Sequence, residues 1–136
     1  MRIIVDSDGL IGMSHESDEH YKISIKILEM LLKENAELIY PSTTIAETTA
    51  VLQIRLKDKR TANKIIEYAS SGVLHIEPVD QKTLESASKF LDLRRSNHST
   101  LFDGIVAAVA EKYDADAIFS FDKFYKKRGF KLASDL

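Results

Sequence analysis

The sequence predicts an α/β fold with a mainly parallel central sheet flanked by helices on both faces, a three-layer α/β/α arrangement. Two observations carry this expectation. Short runs rich in Ile and Val alternate with longer stretches whose apolar residues recur at helical spacing. The connections between successive strand-like runs are too long for hairpins, which leaves parallel pairing through crossovers. With 136 residues, 44% of them hydrophobic and 29% charged, the chain suits a single domain spanning residues 1–136.

The elements follow in order. Arg2 to Val5 reads as a buried strand ending at Asp6, and Asp6 to Gly12 as a turn. From about Glu19 to Lys33, the apolar residues Ile23, Ile27, Met30 and Leu31 mark one face of a helix. Glu37 to Tyr40 is a second strand stopped by Pro41, after which Ser42, Thr43 and Thr44 offer caps for a helix to about Leu56. A further helix runs from about Lys59 to Ser71 and closes at Gly72. Val73 to Glu77 is a third strand, ended by Pro78, and Asp80 can cap a helix reaching about Leu93. RRSNHS is a polar loop. Thr100 to Tyr113 is a helix with many small residues, AIFSF (117–121) is a strand, and FKL (130–132) is a last edge strand.

Composition excludes several functions. There is no cysteine, so disulfides, thiolate zinc sites and a cysteine nucleophile are ruled out, and a metal must take oxygen or imidazole ligands. No apolar run approaches the roughly 20 residues of a membrane helix, and RIIV is too short for a signal-peptide core, so a cytoplasmic location is expected. The five glycines are scattered, and no G-x-S-x-G, P-loop or dinucleotide fingerprint is present. The formal net charge of −2 argues against a uniformly basic nucleic-acid coat, but Lys123, Lys126, Lys127, Arg128 and Lys131 form a local basic run without an acid.

In open parallel sheets, ligands gather beyond the carboxyl ends of the strands. Asp6 follows RIIV, Glu47 lies a helical turn after ELIYP, Asp122 follows AIFSF, and Asp103 opens the helix with small residues. Each acid has a purely structural account. Asp6 and Asp122 can close turns, Glu47 completes the capping-box pattern T-I-A-E, and Asp103 completes T-L-F-D in a first helical turn. Together, four carboxylates brought to one sheet edge make a site for a hard divalent cation, which takes several oxygen ligands at once. Ser120 can hydrogen-bond near this site, and Arg94, Arg95, Lys123, Lys126 and Lys127 can contact phosphates. His15, Glu16, Asp18, Glu19 and His20 form a second polar cluster, whose spacing matches no zinc motif.

IVDSDGL also resembles the D-x-D-G-T signature of the haloacid dehalogenase phosphatases, in which Asp6 would be the nucleophile. Leu10 stands where that signature has Thr or Val, and no later acidic pair completes it. A much longer stretch resembles the PIN-domain family: IIVDSDGLIG, TTIAETTAVL and LFDGIVAAVAEKYDADAIFSFDKFYKKRGFKL follow that family's order and spacing. This resemblance implies a ribonuclease dependent on Mg²⁺ or Mn²⁺, with Asp6, Glu47, Asp103 and Asp122 at the acidic positions, Ser120 at the T/S position and Phe124 as the following aromatic. It further implies an RNA substrate cut to leave a 5′-phosphate, a protein antitoxin as partner and a homodimer, as in small VapC-like toxins. RNA-processing PIN nucleases, non-cutting PIN-like RNA-binding domains and a receiver-like phosphoacceptor are the remaining alternatives. Asp8 stands where the family more often has Asn or Ser, and Gly104 replaces its usual Ala or Cys.

Overall fold

β1 (Arg2–Val5) forms because three consecutive branched aliphatics, Ile3, Ile4 and Val5, are all fully buried, as a strand covered on both faces demands. The computed structural model describes residues 1–92 and 98–136. It continues with α1 (Ser7–Ser14), α2 (Tyr21–Lys33), β2 (Glu37–Pro41), α3 (Ser42–Ala50), α4 (Lys59–Ser70), β3 (His75–Glu77), α5 (Gln81–Ser88), α6 (Leu101–Lys112) and β4 (Ala117–Phe119). The four strands make one sheet in the order β3-β2-β1-β4, every pair parallel. Ile4 is level with Ile39 on one side and Ile118 on the other.

Side-chain alternation along the strands divides the core into two layers. Ile4, Ile39 and Ile118 pack with α5 and α6, whose run from Ile105 to Ala110 is buried throughout. Ile3, Val5, Tyr40, Ala117 and Phe119 pack instead with Leu10 of α1, Ile27 and Leu31 of α2, and Ala62 and Ile65 of α4. The expected three-layer α/β/α architecture is therefore present, with β1 as an inner strand.

Several boundaries differ from the sequence expectation, and each has a local cause. The turn expected over Asp6 to Gly12 is a helix. Asp6 caps it, accepting from Ser7 N at 2.8 Å, and Leu10 N bonds Asp6 O at 2.9 Å. α3 begins directly after Pro41, with no side-chain cap, so Glu47 lies in the second turn and not at the capping-box position. Past Ala50 the chain widens into a π-turn over Val51–Arg55, closed by Leu56 N on Val51 O at 3.0 Å. α2 opens two residues late, β3 loses Val73 and Leu74, and α5 stops at Ser88. β4 ends at Phe119, which turns Ser120 to Asp122 off the sheet. The expected C-terminal edge strand is reduced to one parallel bridge, Leu132 with Ile118.

Gly104 explains itself in this packing. A Cβ there would lie 2.7 Å from the carbonyl oxygen of Ala87, so α5 and α6 approach through the missing side chain. Helix propensity alone favours Ala over Gly by about 1 kcal/mol. Because the obstruction is backbone, Gly104→Ala is expected to lower the melting temperature, with overpacking costing about 1–3 kcal/mol. An unchanged or raised midpoint in thermal denaturation would refute this account.

Candidate functional site

The carboxyl ends of β1 and β4 and the first turns of α1 and α6 hold four of the five acids at issue. Asp6 leaves β1 where its own N–H still bonds Phe119 O of β4 at 3.1 Å. Its side chain is 4% exposed. Oδ1 accepts from Ser7 N at 2.8 Å, while Oδ2 accepts from Ser120 Oγ at 3.0 Å and Tyr125 Oη at 2.8 Å. Burial, and next the charge of Asp8, push the Asp6 carboxyl up to about 8, against the pull of those three hydrogen bonds.

Asp8 sits in the first turn of α1, where the helix dipole favours a negative charge. Its Oδ2 accepts from Phe121 N at 2.9 Å. Its Oδ1 is buried and has no hydrogen-bond partner. Burial raises its pKa, and the charge of Asp122 adds to the rise. Glu47 projects from α3, where burial raises it first, the Ser7 hydroxyl donates to it, and the charges of Asp103 and Asp8 raise it further. Asp103 is held by Thr100 N at 2.9 Å in a capping box, as the sequence pattern predicts. Burial raises it, Asp122 contributes, and the Arg128 guanidinium opposes.

Asp122 is exposed on the turn after β4, where its Oδ1 accepts from Phe124 N at 2.9 Å. Ser120, 1% exposed, accepts from Asp122 N at 3.1 Å and donates to Asp6. The charges of Asp8, Asp103 and Asp122 thus lie close enough to raise Asp6, Asp8, Glu47 and Asp103: Asp8 acts on Asp6 and Glu47, Asp103 on Glu47, and Asp122 on Asp8 and Asp103.

Sequence reasoning left Asp8 ambiguous and did not single out Ser7 or Tyr125. Tyr125, not Phe124, is the aromatic that reaches Asp6. Of the residues considered for phosphate contact, Lys123 and Lys127 are exposed, and Lys126 pairs with Asp135 at 2.9 Å. Arg94 and Arg95 lie outside the described residues. The second polar cluster does not form a ligand set. His15 Nδ1 bonds Asp58 at 2.7 Å, Asp18 accepts from His20 N at 2.9 Å, and His20 stacks on Phe121 with ring centres 4.1 Å apart.

Among the described residues, no three His, Asp or Glu side chains are already arranged to hold an ion by themselves. The donor set nevertheless fits a hard divalent cation. It is all carboxylate oxygen, and Asp8 Oδ1 is a buried acceptor with nothing to accept from.

Residues 3–131 match the family described as PIN domain, and the chain belongs to that family. The solved structures it resembles include VapC20 of Mycobacterium tuberculosis, described as a Sarcin-Ricin loop cleaving toxin. That structure has a TM-score of 0.79 and 19% identity over 94% of this chain and 95% of that one. VapBC2 of Rickettsia felis, bound to a promoter DNA fragment, gives 0.64 and 17% over 94% and 92%. A FitAcB structure from Neisseria gonorrhoeae gives 0.61 and 17% over 98% and 94%. No curated protein matches the chain.

The perturbed acids have a stability signature with a definite sign. The unfolded chain releases the Asp6 proton near 3.8, and the folded chain keeps it up to about 8. Folding therefore binds a proton in that window, and the contribution of Asp6 to stability falls as pH rises through it. Asp6→Asn keeps the shape and removes the charge. In metal-free buffer the variant should melt above the wild type at pH 8, with the gap closing toward pH 5. Equal melting curves at pH 8 would contradict the strain assigned to Asp6.

Proposed function

We propose that this protein is a divalent-metal-dependent endoribonuclease, the toxin of a toxin–antitoxin pair. The observation that carries the reading is the gathering of Asp6, Asp8, Glu47 and Asp103, whose carboxyls are all pushed up, with Asp122 beside them, around a buried and unpartnered carboxylate oxygen. Membership of the PIN-domain family supports it. RNA as substrate is supported by the described activity of VapC20, and an antitoxin partner by the toxin–antitoxin complexes among the structural relatives.

In this reading Asp6, Glu47, Asp103 and Asp122, with Asp8, hold Mg²⁺ or Mn²⁺. A bound ion of this kind lowers the pKa of water and offsets charge developing at a phosphodiester. Ser120 and Tyr125 fix the orientation of Asp6. Lys123 and Lys127 are the exposed cations next to the site that can position phosphates, which makes RNA binding salt-dependent. Arg128 is spent elsewhere, donating to Phe90 O at 2.7 Å and Phe124 O at 3.0 Å. No helix among the described residues is long and apolar enough to cross a membrane; action on RNA in the cytoplasm and a homodimeric state belong to the proposal. A phosphatase using Asp6 as nucleophile has less support, because Asp6 is buried and both hydroxyls on Oδ2 hold that oxygen.

The test is cleavage of defined RNAs by the purified chain. With Mg²⁺ or Mn²⁺ the products should carry 5′-phosphates, and EDTA should stop the reaction. Asp6→Asn should reduce cleavage below detection while circular dichroism and the melting curve report an intact fold. Cleavage that persists in EDTA, or in the variant, would reject the assignment.

A further inference from the structure

The two oxygens of Asp6 are treated differently by the protein. Oδ2 accepts two hydroxyl hydrogen bonds, from Ser120 at 3.0 Å and Tyr125 at 2.8 Å, while Oδ1 accepts only Ser7 N at 2.8 Å. A carboxylate oxygen presents two lone-pair directions. Oδ2 is therefore filled, and Oδ1 keeps one direction open. We propose that Tyr125 is a positioning residue that, with Ser120, commits Oδ2 of Asp6 to the protein and makes Asp6 a one-oxygen ligand, through Oδ1, for the divalent cation. This rests on the metal-dependent reading above and specifies how one of its ligands is set.

Both donors are constrained to this role. Ser120 Oγ accepts from Asp122 N at 3.1 Å, which directs its own proton away from that contact and toward Asp6. Tyr125 is fully buried, stands edge-on to Phe124 at 5.1 Å between ring centres, and has its carbonyl bonded by Arg128 N and Phe130 N at 3.0 and 3.1 Å. A phenylalanine would fill the same space. The hydroxyl is therefore surplus to packing, and a buried hydroxyl is retained at a cost unless it has a partner to serve.

The consequence is selectivity. Mg²⁺ and Mn²⁺ suit near-octahedral sites with one oxygen per carboxylate, while Ca²⁺ readily takes both oxygens of one carboxylate. Opening Oδ2 should favour Ca²⁺ relative to Mn²⁺. Mn²⁺ and Ca²⁺ affinities of the full chain, without RNA, are to be measured by isothermal titration for the wild type, Tyr125→Phe and Ser120→Ala.

Tyr125→Phe is expected to bind Mn²⁺ roughly tenfold or more weakly, to lose preference for Mn²⁺ over Ca²⁺, and to cut RNA with lower kcat at an unchanged KM. Ser120→Ala opens the same oxygen and should narrow the preference likewise, which keeps the comparison decisive if Tyr125→Phe does not fold. An unchanged Mn²⁺-to-Ca²⁺ ratio in either folded variant overturns the proposal while leaving the metal site standing. A wild type that binds neither ion overturns both.

Discussion

Asp6 carries a carboxylate at the end of an inner strand, 4% exposed and beside other acids, and the surrounding structure is arranged around that constraint. Desolvating one negative charge is expensive, and placing others near it adds to the expense. The protein answers with donors. A helix N-terminus begins at Ser7, two hydroxyls come from the turn after β4, and the β1–β4 pairing continues one residue further through Asp6 N and Phe119 O. These contacts reduce the penalty without removing it. Burial still pushes the Asp6 carboxyl up to about 8, and the proposed divalent ion would supply the remaining compensation.

The sheet order makes this concentration of charge possible. Because β1 lies between β2 and β4 and all three run parallel, their carboxyl ends and the helices that follow share one edge. Glu47 reaches that edge because α3 starts immediately at Pro41, which puts it in the second turn and frees it from capping. Asp103 arrives from the opposite direction, at the start of α6, a helix that packs closely on α5 through Gly104. Capping and site-building are compatible for Asp103: one carboxylate serves Thr100 N and still faces Asp122.

Much of this was legible in the sequence, for identifiable reasons. Ile and Val runs ending in an acid mark β1, and small residues after Asp103 mark α6, because period and composition are local signals. That Asp6, Glu47, Asp103 and Asp122 share one sheet edge is the expectation parallel topology creates, whereas the strand order β3-β2-β1-β4 depends on which strands pair and is not written in any local pattern. Asp8 was ambiguous because its role depends on whether residues 7–14 form a turn or a helix. Only the helix aims Oδ2 at Phe121 N and buries Oδ1. Tyr125 was missed in favour of Phe124 because both are buried aromatics in the same turn, and the difference is the Tyr125 hydroxyl that reaches Asp6. The early end of β4 at Phe119 sets that choice, and nothing in AIFSF announces it.

A second buried carboxylate shows what a structural solution looks like in the same fold. Glu77, 5% exposed on the outer strand β3, is pushed up by burial, but Lys112 Nζ at 2.6 Å and the Tyr113 hydroxyl outweigh that and hold it below the usual range. The chain has 19 lysines and arginines and places one where a buried acid needs neutralising for the fold alone. Among the described residues no ion pair reaches Asp6 or Asp8, and the Arg128 guanidinium, whose charge is felt at Asp103, is bonded to two backbone carbonyls. A tyrosine assists both acids, yet among the described residues only Glu77 receives a cation from the protein. In the metal-dependent reading proposed above, the difference is function imposed on folding: a lysine beside Asp6 would relieve the strain and occupy the place of the divalent ion.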